Sequence, residues 1–246
     1  MKILFSPSEA KNLSEIISEQ EDFSFLDTLV LHHEGVKENV LKYLDILKQE
    51  DNVICKLFGV KKLGSILREM FLCANLAKTS KMEAIRLYSG VAYKALDFEN
   101  LPFNAKEYIL ENVMIFSNLF GMVRAKDFLP FYKCNQHFKY EDFSLNELYD
   151  RLSSKIDLYL EDHKILDLRA EVYLKAYGLK NMHTRIEFLK NGKKVSHYAK
   201  YYRGIYLKEL SMNPTLDCQD LIVEGLELID KQTIKNANIL FYEVRE

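Results

Sequence analysis

KILFSPSEAK, residues 2–11, decides how the chain is laid out, because its apolar run ends abruptly at Ser6-Pro7. Proline donates no ladder hydrogen bond and fixes its own φ, so Lys2 to Phe5 reads as a short buried strand that turns at Ser6. The same opening recurs as KILDLRAE, residues 164–171, again running into polar and charged residues. In open sheets with parallel strands, the crevice beyond the strands' carboxyl ends is a favoured ligand position. Two such strands in one sheet would bring Ser6, Ser8, Glu9 and Lys11 to one edge with Asp167, Arg169 and Glu171. On that reading Glu9 or Asp167 is a candidate acid or base, and Lys11 and Arg169 hold an anion. On the plainer reading the same letters are ion pairs that tie loops down.

Working outward, Val36, Val40, Leu41, Leu44 and Leu47 repeat at three and four and predict a helix from Glu34 to about Glu50. A helical pattern over residues 53–71 is interrupted by Gly59 and Gly64. Glycine takes the left-handed conformation that ends a helix, so residues 59–62 read as a hairpin between two helices. Its Lys61 and Lys62 either meet a phosphate or are simply solvated. Helical spacing also spans 104–120, and Ser144-x-x-Glu147 caps a further helix to Leu160. Asn191-Gly192 joins two strands at 185–189 and 194–196, HYAKYYRGIYLKEL forms a helix, and 238–244 is a closing strand. Strands and helices interleave without a regular βαβ rhythm. The expected fold is therefore α+β, a mixed β-sheet surrounded by helices in one domain over residues 1–246.

The 246 residues are 48% apolar and 28% charged, with 15 Tyr and 15 Phe, enough for a substantial core. A net charge of −2 excludes the strongly basic balance of many dedicated nucleic-acid binders, so anion binding must come from a local patch. Four cysteines without a C-x-x-C pair predict reduced thiols and a cytoplasmic location. The apolar run before Ser6-Pro7 is too short for an export signal or a membrane span. Cys134, beside Lys133 and near His137, is either a sensing thiol or a structural one. Phosphate-loop, dinucleotide, zincin and nucleophile-elbow motifs are absent, and the adjacent His32 and His33 have poor ligand spacing. No metal and no cofactor is expected.

Two further clusters carry charge. In SNLFGMVRAKDFLPFY, residues 117–132, Arg124 either offers its planar fork to an anion or pairs with Asp127. In HYAKYYRG, residues 197–204, a rotation of about 100° per residue puts Tyr198, Tyr201, Tyr202 and Ile205 on one stripe. Lys200, Arg203, Gly204 and Leu207 lie opposite. The tyrosines are expected to pack, leaving Lys200, Arg203 and Gly204 as the anion-facing side, with the glycine permitting close approach.

Taken in order, these segments resemble the YaaA family. LFSPSEAK is similar to its opening strand, with Ala10 in place of glycine; RLYSGVAYKALDFENL, residues 86–101, resembles its Tyr-x-Gly-Val-x-Tyr segment. FSNLFGMVRAKDFLPFYK keeps Ser117, Gly121, Arg124, Asp127, Pro130 and Tyr132 but has Ala125 and Lys133 where Pro and Arg are usual. LDLRAEVY keeps the Asp-Leu-Arg and a later tyrosine, Tyr173, with Ala170 for serine, and SHYAKYYRG keeps Ser196, Ala199, Lys200, Arg203 and Gly204. The resemblance implies a positively charged cleft, a role in limiting hydrogen peroxide damage, and DNA binding partly through a helix-hairpin-helix element. Residues 53–71 are the candidate for that element.

Two functions follow as expectations. One is non-specific binding of double-stranded DNA, with Lys61, Lys62, Lys200 and Arg203 on phosphates. The other is an enzyme acting on a nucleotide or other small anionic ligand held by Lys11, Arg124, Arg169, Lys200 and Arg203. Ser6, Tyr93, Ser117, Tyr132, Tyr173 and Gly204 would support the cleft in either case. The oligomeric state is left open.

Overall fold

The computed structural model describes residues 1–16, 18–32 and 34–245, and the backbone alone for Ser196 and His197. His33 lies outside the described residues. Among those described, eight strands build the main sheet: β1 (Lys2–Phe5), β2 (Val113–Ser117), β3 (Gly121–Arg124), β4 (Ile165–Asp167), β5 (His183–Lys190), β6 (Lys193–Lys194), β7 (Leu226–Ile234) and β8 (Ala237–Val244). Their order is β7-β8-β5-β4-β1-β2-β3, with β6 folded back on β5. The pairs β1–β2, β1–β4, β4–β5 and β5–β8 are parallel, while the edge strands β7 and β3 are antiparallel to their neighbours. The sheet is therefore mixed with a five-stranded parallel centre, and the carboxyl ends of β1 and β4 lie side by side.

Around it lie α1 (Glu34–Ile46), α2 (Asp51–Phe58), α3 (Leu67–Ala74), α4 (Ala84–Leu87), α5 (Val91–Leu96), α6 (Phe103–Asn112), α7 (Leu145–Leu160), α8 (Glu171–Ala176) and α9 (Ser196–Met212). The expected cap on α7 is present, with Ser144 Oγ accepting from the Glu147 N–H at 3.2 Å. The hairpin at Asn191-Gly192 has both residues at positive φ, 52° and 70°, as a two-residue reverse turn requires. Ser196, expected in a strand, opens α9 instead.

One expected helix is wrong. Residues 104–120 split into α6 and the central strand β2, because Val113 to Ser117 is buried throughout. A strand covered on both faces shows no alternation, so helical spacing that ran through Val113 and Phe116 was coincidental. Gly121, at φ 69°, then reverses the chain into β3.

The faces of α9 also differ from the helical-wheel expectation. Tyr202, Tyr206, Leu207 and Leu210 are buried, but Tyr198 and Tyr201 are 42% and 45% exposed. The helix packs against α5 and α6 on one side and β5 on another, so its buried arc is wide and passes through Arg203 and Gly204. A Cβ on Gly204 would lie 2.0 Å from the Ala92 carbonyl oxygen. That glycine admits α5, not a ligand.

Candidate functional site

The loops that follow β1 and β4 are stitched together. Ser6 Oγ accepts the Ala170 N–H at 2.7 Å, and Tyr93 Oη donates to the Ser6 carbonyl at 2.9 Å. Above this seam is a cleft of about 290 Å³, walled by Ser6, Ser8 and Glu9 on one side, residues 90–92 at the start of α5, and Tyr93, Gln136 and Tyr173. Lys200 and Arg203 of α9 complete it. At Gly90 a Cβ would stand 2.0 Å from Ser8 Oγ, so a glycine here lets the Ser8 hydroxyl lie against the chain.

Lys200 is exposed, whereas Arg203 is half-buried, and its buried Nε has no hydrogen-bond partner among the described residues. Burial pulls the Arg203 pKa below its usual value, while Glu187 and Asp167 pull the other way from a distance. Both acids have nearer partners. Glu187 lies 3.2 Å from Arg185 and 3.3 Å from Lys194, and Asp167 is held by Arg169. The Arg203 guanidinium lies 6.0 Å from the Phe188 ring centre, but no carboxylate pairs with it among the described residues.

Asp167 and Arg169 form that internal pair, and neither lines the cleft. Arg169 Nε and Nη2 donate to the two Asp167 carboxylate oxygens at 2.9 and 2.7 Å. Its Nη1 donates to the carbonyls of Tyr173 and Tyr177 at 3.3 and 3.0 Å, and the fork lies 4.3 Å from the Phe116 ring centre. Burial pushes the Asp167 carboxyl up, but the guanidinium and its hydrogen bonds outweigh it and hold the group below the usual range. The expectation of Asp167 as acid or base and Arg169 as anion holder gives way to the tied-loop reading.

Arg124 is also misplaced by that expectation. Since β3 runs antiparallel to β2, it carries Arg124 opposite Met114, towards the amino ends of the parallel strands. There Nε donates to Asp127 Oδ1 at 2.6 Å and Nη2 to the Thr28 carbonyl at 2.7 Å.

Lys11 turns beneath the Ser8–Glu9 loop. Its Nζ donates to the Ser8 carbonyl at 2.8 Å and lies 4.2 Å from the Tyr132 ring centre and 5.3 Å from that of Tyr88, with no carboxylate in ion-pair range among the described residues. Part of the residue is exposed, but the ammonium is enclosed, and burial lowers its pKa from 10.5 to about 8. Lys11 braces the loop from below. Between about pH 8 and 10.5 the unfolded chain binds a proton that the folded chain does not, so this group makes stability rise with pH across that window. The full effect is on the order of 3 kcal/mol. Denaturant titrations at pH 7.5 and 10 should show wild type gaining on Lys11→Met by roughly that amount; parallel pH profiles would contradict the enclosed ammonium.

Under the cleft, a hydroxyl chain links Tyr88, Tyr132 and Ser117, with both O–O distances 2.8 Å. Tyr173 Oη donates to Asn118 Oδ1 at 2.7 Å and approaches Gln136 Oε1 at 3.3 Å. Tyr93 and Tyr173 therefore line the cleft, while Ser117 and Tyr132 support it from beneath. Burial pushes the Cys134 thiol up to about 12 and the Cys73 thiol up to about 11, which leaves neither as the low-pKa thiolate that peroxide sensing needs.

The stretch over residues 53–71 is two helices joined by a turn. Gly59 ends α2 at φ 67°, and the Val60 N–H donates to the Cys55 carbonyl at 2.9 Å. Lys61 and Lys62 are exposed and stand outside the cleft. The two features nonetheless adjoin, because the Asn135 side chain packs on Gly59 and the Asn135 backbone N–H donates to the Leu57 carbonyl at 2.7 Å, while the next residue, Gln136, lines the cleft. Gln136 was not foreseen, since a lone amide in a loop carries no spacing signal.

The site is a ligand-sized cleft at the carboxyl ends of a sheet's central parallel strands, with one half-buried and one exposed cation. A family model described as Peroxide stress protein YaaA matches residues 1–224. The chain is 40% identical over 226 residues to an uncharacterized protein of Campylobacter jejuni, covering 90% of this chain and 89% of the relative. It is 26% identical over 253 residues to a UPF0246 protein of Fusobacterium nucleatum, covering 98% of each, and 35% identical over 140 residues to one from Corynebacterium glutamicum, covering 54% and 56%. The chain belongs to the YaaA peroxide stress protein family. Among the described residues no helix is long and apolar enough to cross a membrane, and no three His, Cys, Asp or Glu side chains could jointly hold a metal.

Proposed function

We propose that this family member limits peroxide damage in the cytoplasm by binding double-stranded DNA non-specifically, with Lys61 and Lys62 of the helical hairpin and Lys200 at the mouth of the cleft meeting phosphates. The observation that supports this reading is the exposure of both hairpin lysines behind a left-handed Gly59, on a turn adjoining the segment that borders the cleft. Phosphate contacts release counterions, so the affinity should fall linearly on a log–log salt plot, with a slope of about −0.9 per contact. Replacing Lys61 and Lys62 by alanine should flatten that slope by nearly 2 units and weaken duplexes of any sequence alike. An unchanged slope and affinity would remove the hairpin from the interface.

A second reading, an enzyme on a nucleotide or other small anionic substrate, is favoured by Arg203. A duplex backbone meets lysines on a surface, whereas a half-buried guanidinium with a buried, unmatched Nε suits a ligand small enough to enter. Glu9 is then the carboxylate in the cleft able to exchange a proton with substrate.

A further inference from the structure

We propose that the cleft binds a small organic anion whose far end carries an N–H donor, of the nucleoside monophosphate class, with the anion on Arg203 and the donor towards Glu9. The proposal rests on the small-ligand reading and adds the ligand's chemistry to it.

Three observations converge. The first is Arg203: an N–H of a guanidinium taken out of water needs a matched hydrogen bond, and the buried Nε has none among the described residues. Its neighbours Glu187 and Asp167 are already engaged by Arg185, Lys194 and Arg169, so none of these supplies the missing partner. A tetrahedral or planar oxyanion fits the unmatched edge of the fork, with Lys200 adding a second cation at the mouth.

The second is Glu9, which shares the cleft with those cations. A ligand that is anionic throughout would be repelled there, while one bearing an amino or ring N–H would be held. The polarity of the cleft therefore reads anion to donor from α9 towards the loop after β1.

The third is the wall between them. Tyr93 and Tyr173 face the cleft with Phe5 and Pro7, giving aromatic and apolar surface that takes a flat unsaturated ring. Gln136, whose amide oxygen is approached by Tyr173 Oη and whose amide nitrogen lies 3.1 Å from His137 Nε2, has a second lone pair and a second N–H suited to the edge of a base. A volume of about 290 Å³ sits at the lower end of small-molecule sites, which limits the ligand to one base and one phosphate.

Isothermal titration of the full chain with AMP, adenosine, inorganic phosphate and glutamate tests this. AMP should bind at least tenfold more tightly than adenosine or phosphate, and Arg203→Met should weaken AMP at least 100-fold. Arg203→Lys keeps the charge but loses the fork, and should still cost at least tenfold. Glu9→Gln should weaken AMP relative to purine riboside 5′-monophosphate, whose base carries no N–H donor. If phosphate or glutamate binds as tightly as AMP, the ligand class is wrong while the small-anion reading stands. If none of the four binds, both fall.

Discussion

Arg169→Ala is expected to lose about 3–5 kcal/mol of stability, because it strands the Asp167 carboxylate in a dry interior. The guanidinium donates to both carboxylate oxygens and to the carbonyls of Tyr173 and Tyr177, so four acceptors each lose a donor together. Asp167 Oδ1 keeps the Arg169 backbone N–H and the Tyr173 carbonyl keeps the Tyr177 N–H, while Asp167 Oδ2 is left with none among the described residues. With Arg169 2% exposed and Asp167 0%, water has no ready route to replace it. For a chain of this size such a loss corresponds to a melting shift on the order of 10 °C. Urea titration reads it directly. A loss below about 1 kcal/mol, coupled to a fall in anion affinity, would return Arg169 to the binding surface.

The second large effect is expected at Gly204. A methyl group there would stand 2.0 Å from the backbone oxygen of Ala92 and 2.9 Å from the Ala95 side chain. A backbone oxygen cannot swing aside, so α9 and α5 must separate, at a cost of about 3 kcal/mol or more. Because α5 and α9 also carry the cleft wall, Gly204→Ala should lose ligand affinity along with stability. Gly178→Ala is the control, since nothing lies within 4 Å of the added carbon, and it should be close to neutral. Equal melting temperatures for the two variants would mean that the helices are not in the described contact.

The sheet's centre was legible because Lys2 to Phe5 and Ile165 to Asp167 are short apolar runs closed by polar residues. The Ser144 cap and the Asn191-Gly192 turn were legible for a similar reason: each is a local interaction between neighbours in sequence. What sequence spacing could not carry was direction and depth. Val113 to Ser117 is buried on both faces and so lacks the alternation that marks a strand. With that strand read as helix, nothing signalled that Arg124 lies on an antiparallel return at the wrong end of the sheet. Arg169 and Arg203 look equivalent as letters, yet one is matched by a neighbouring carboxylate and the other is not. The two exposed tyrosines of α9 escaped because the helix is gripped from two sides, which widens its buried arc beyond a single stripe.

The central claim is that Arg203 is held for a ligand while Arg169 is held for the fold. Thermal unfolding of ligand-free Arg203→Met beside wild type tests it most directly. Replacing a half-buried cation that no carboxylate pairs with by an apolar side chain strands no opposite charge and relieves the unmatched Nε. The melting temperature is therefore expected to stay level or rise by a few degrees. A fall comparable to that of Arg169→Ala would show that Arg203 is internally paired, and would contradict the account.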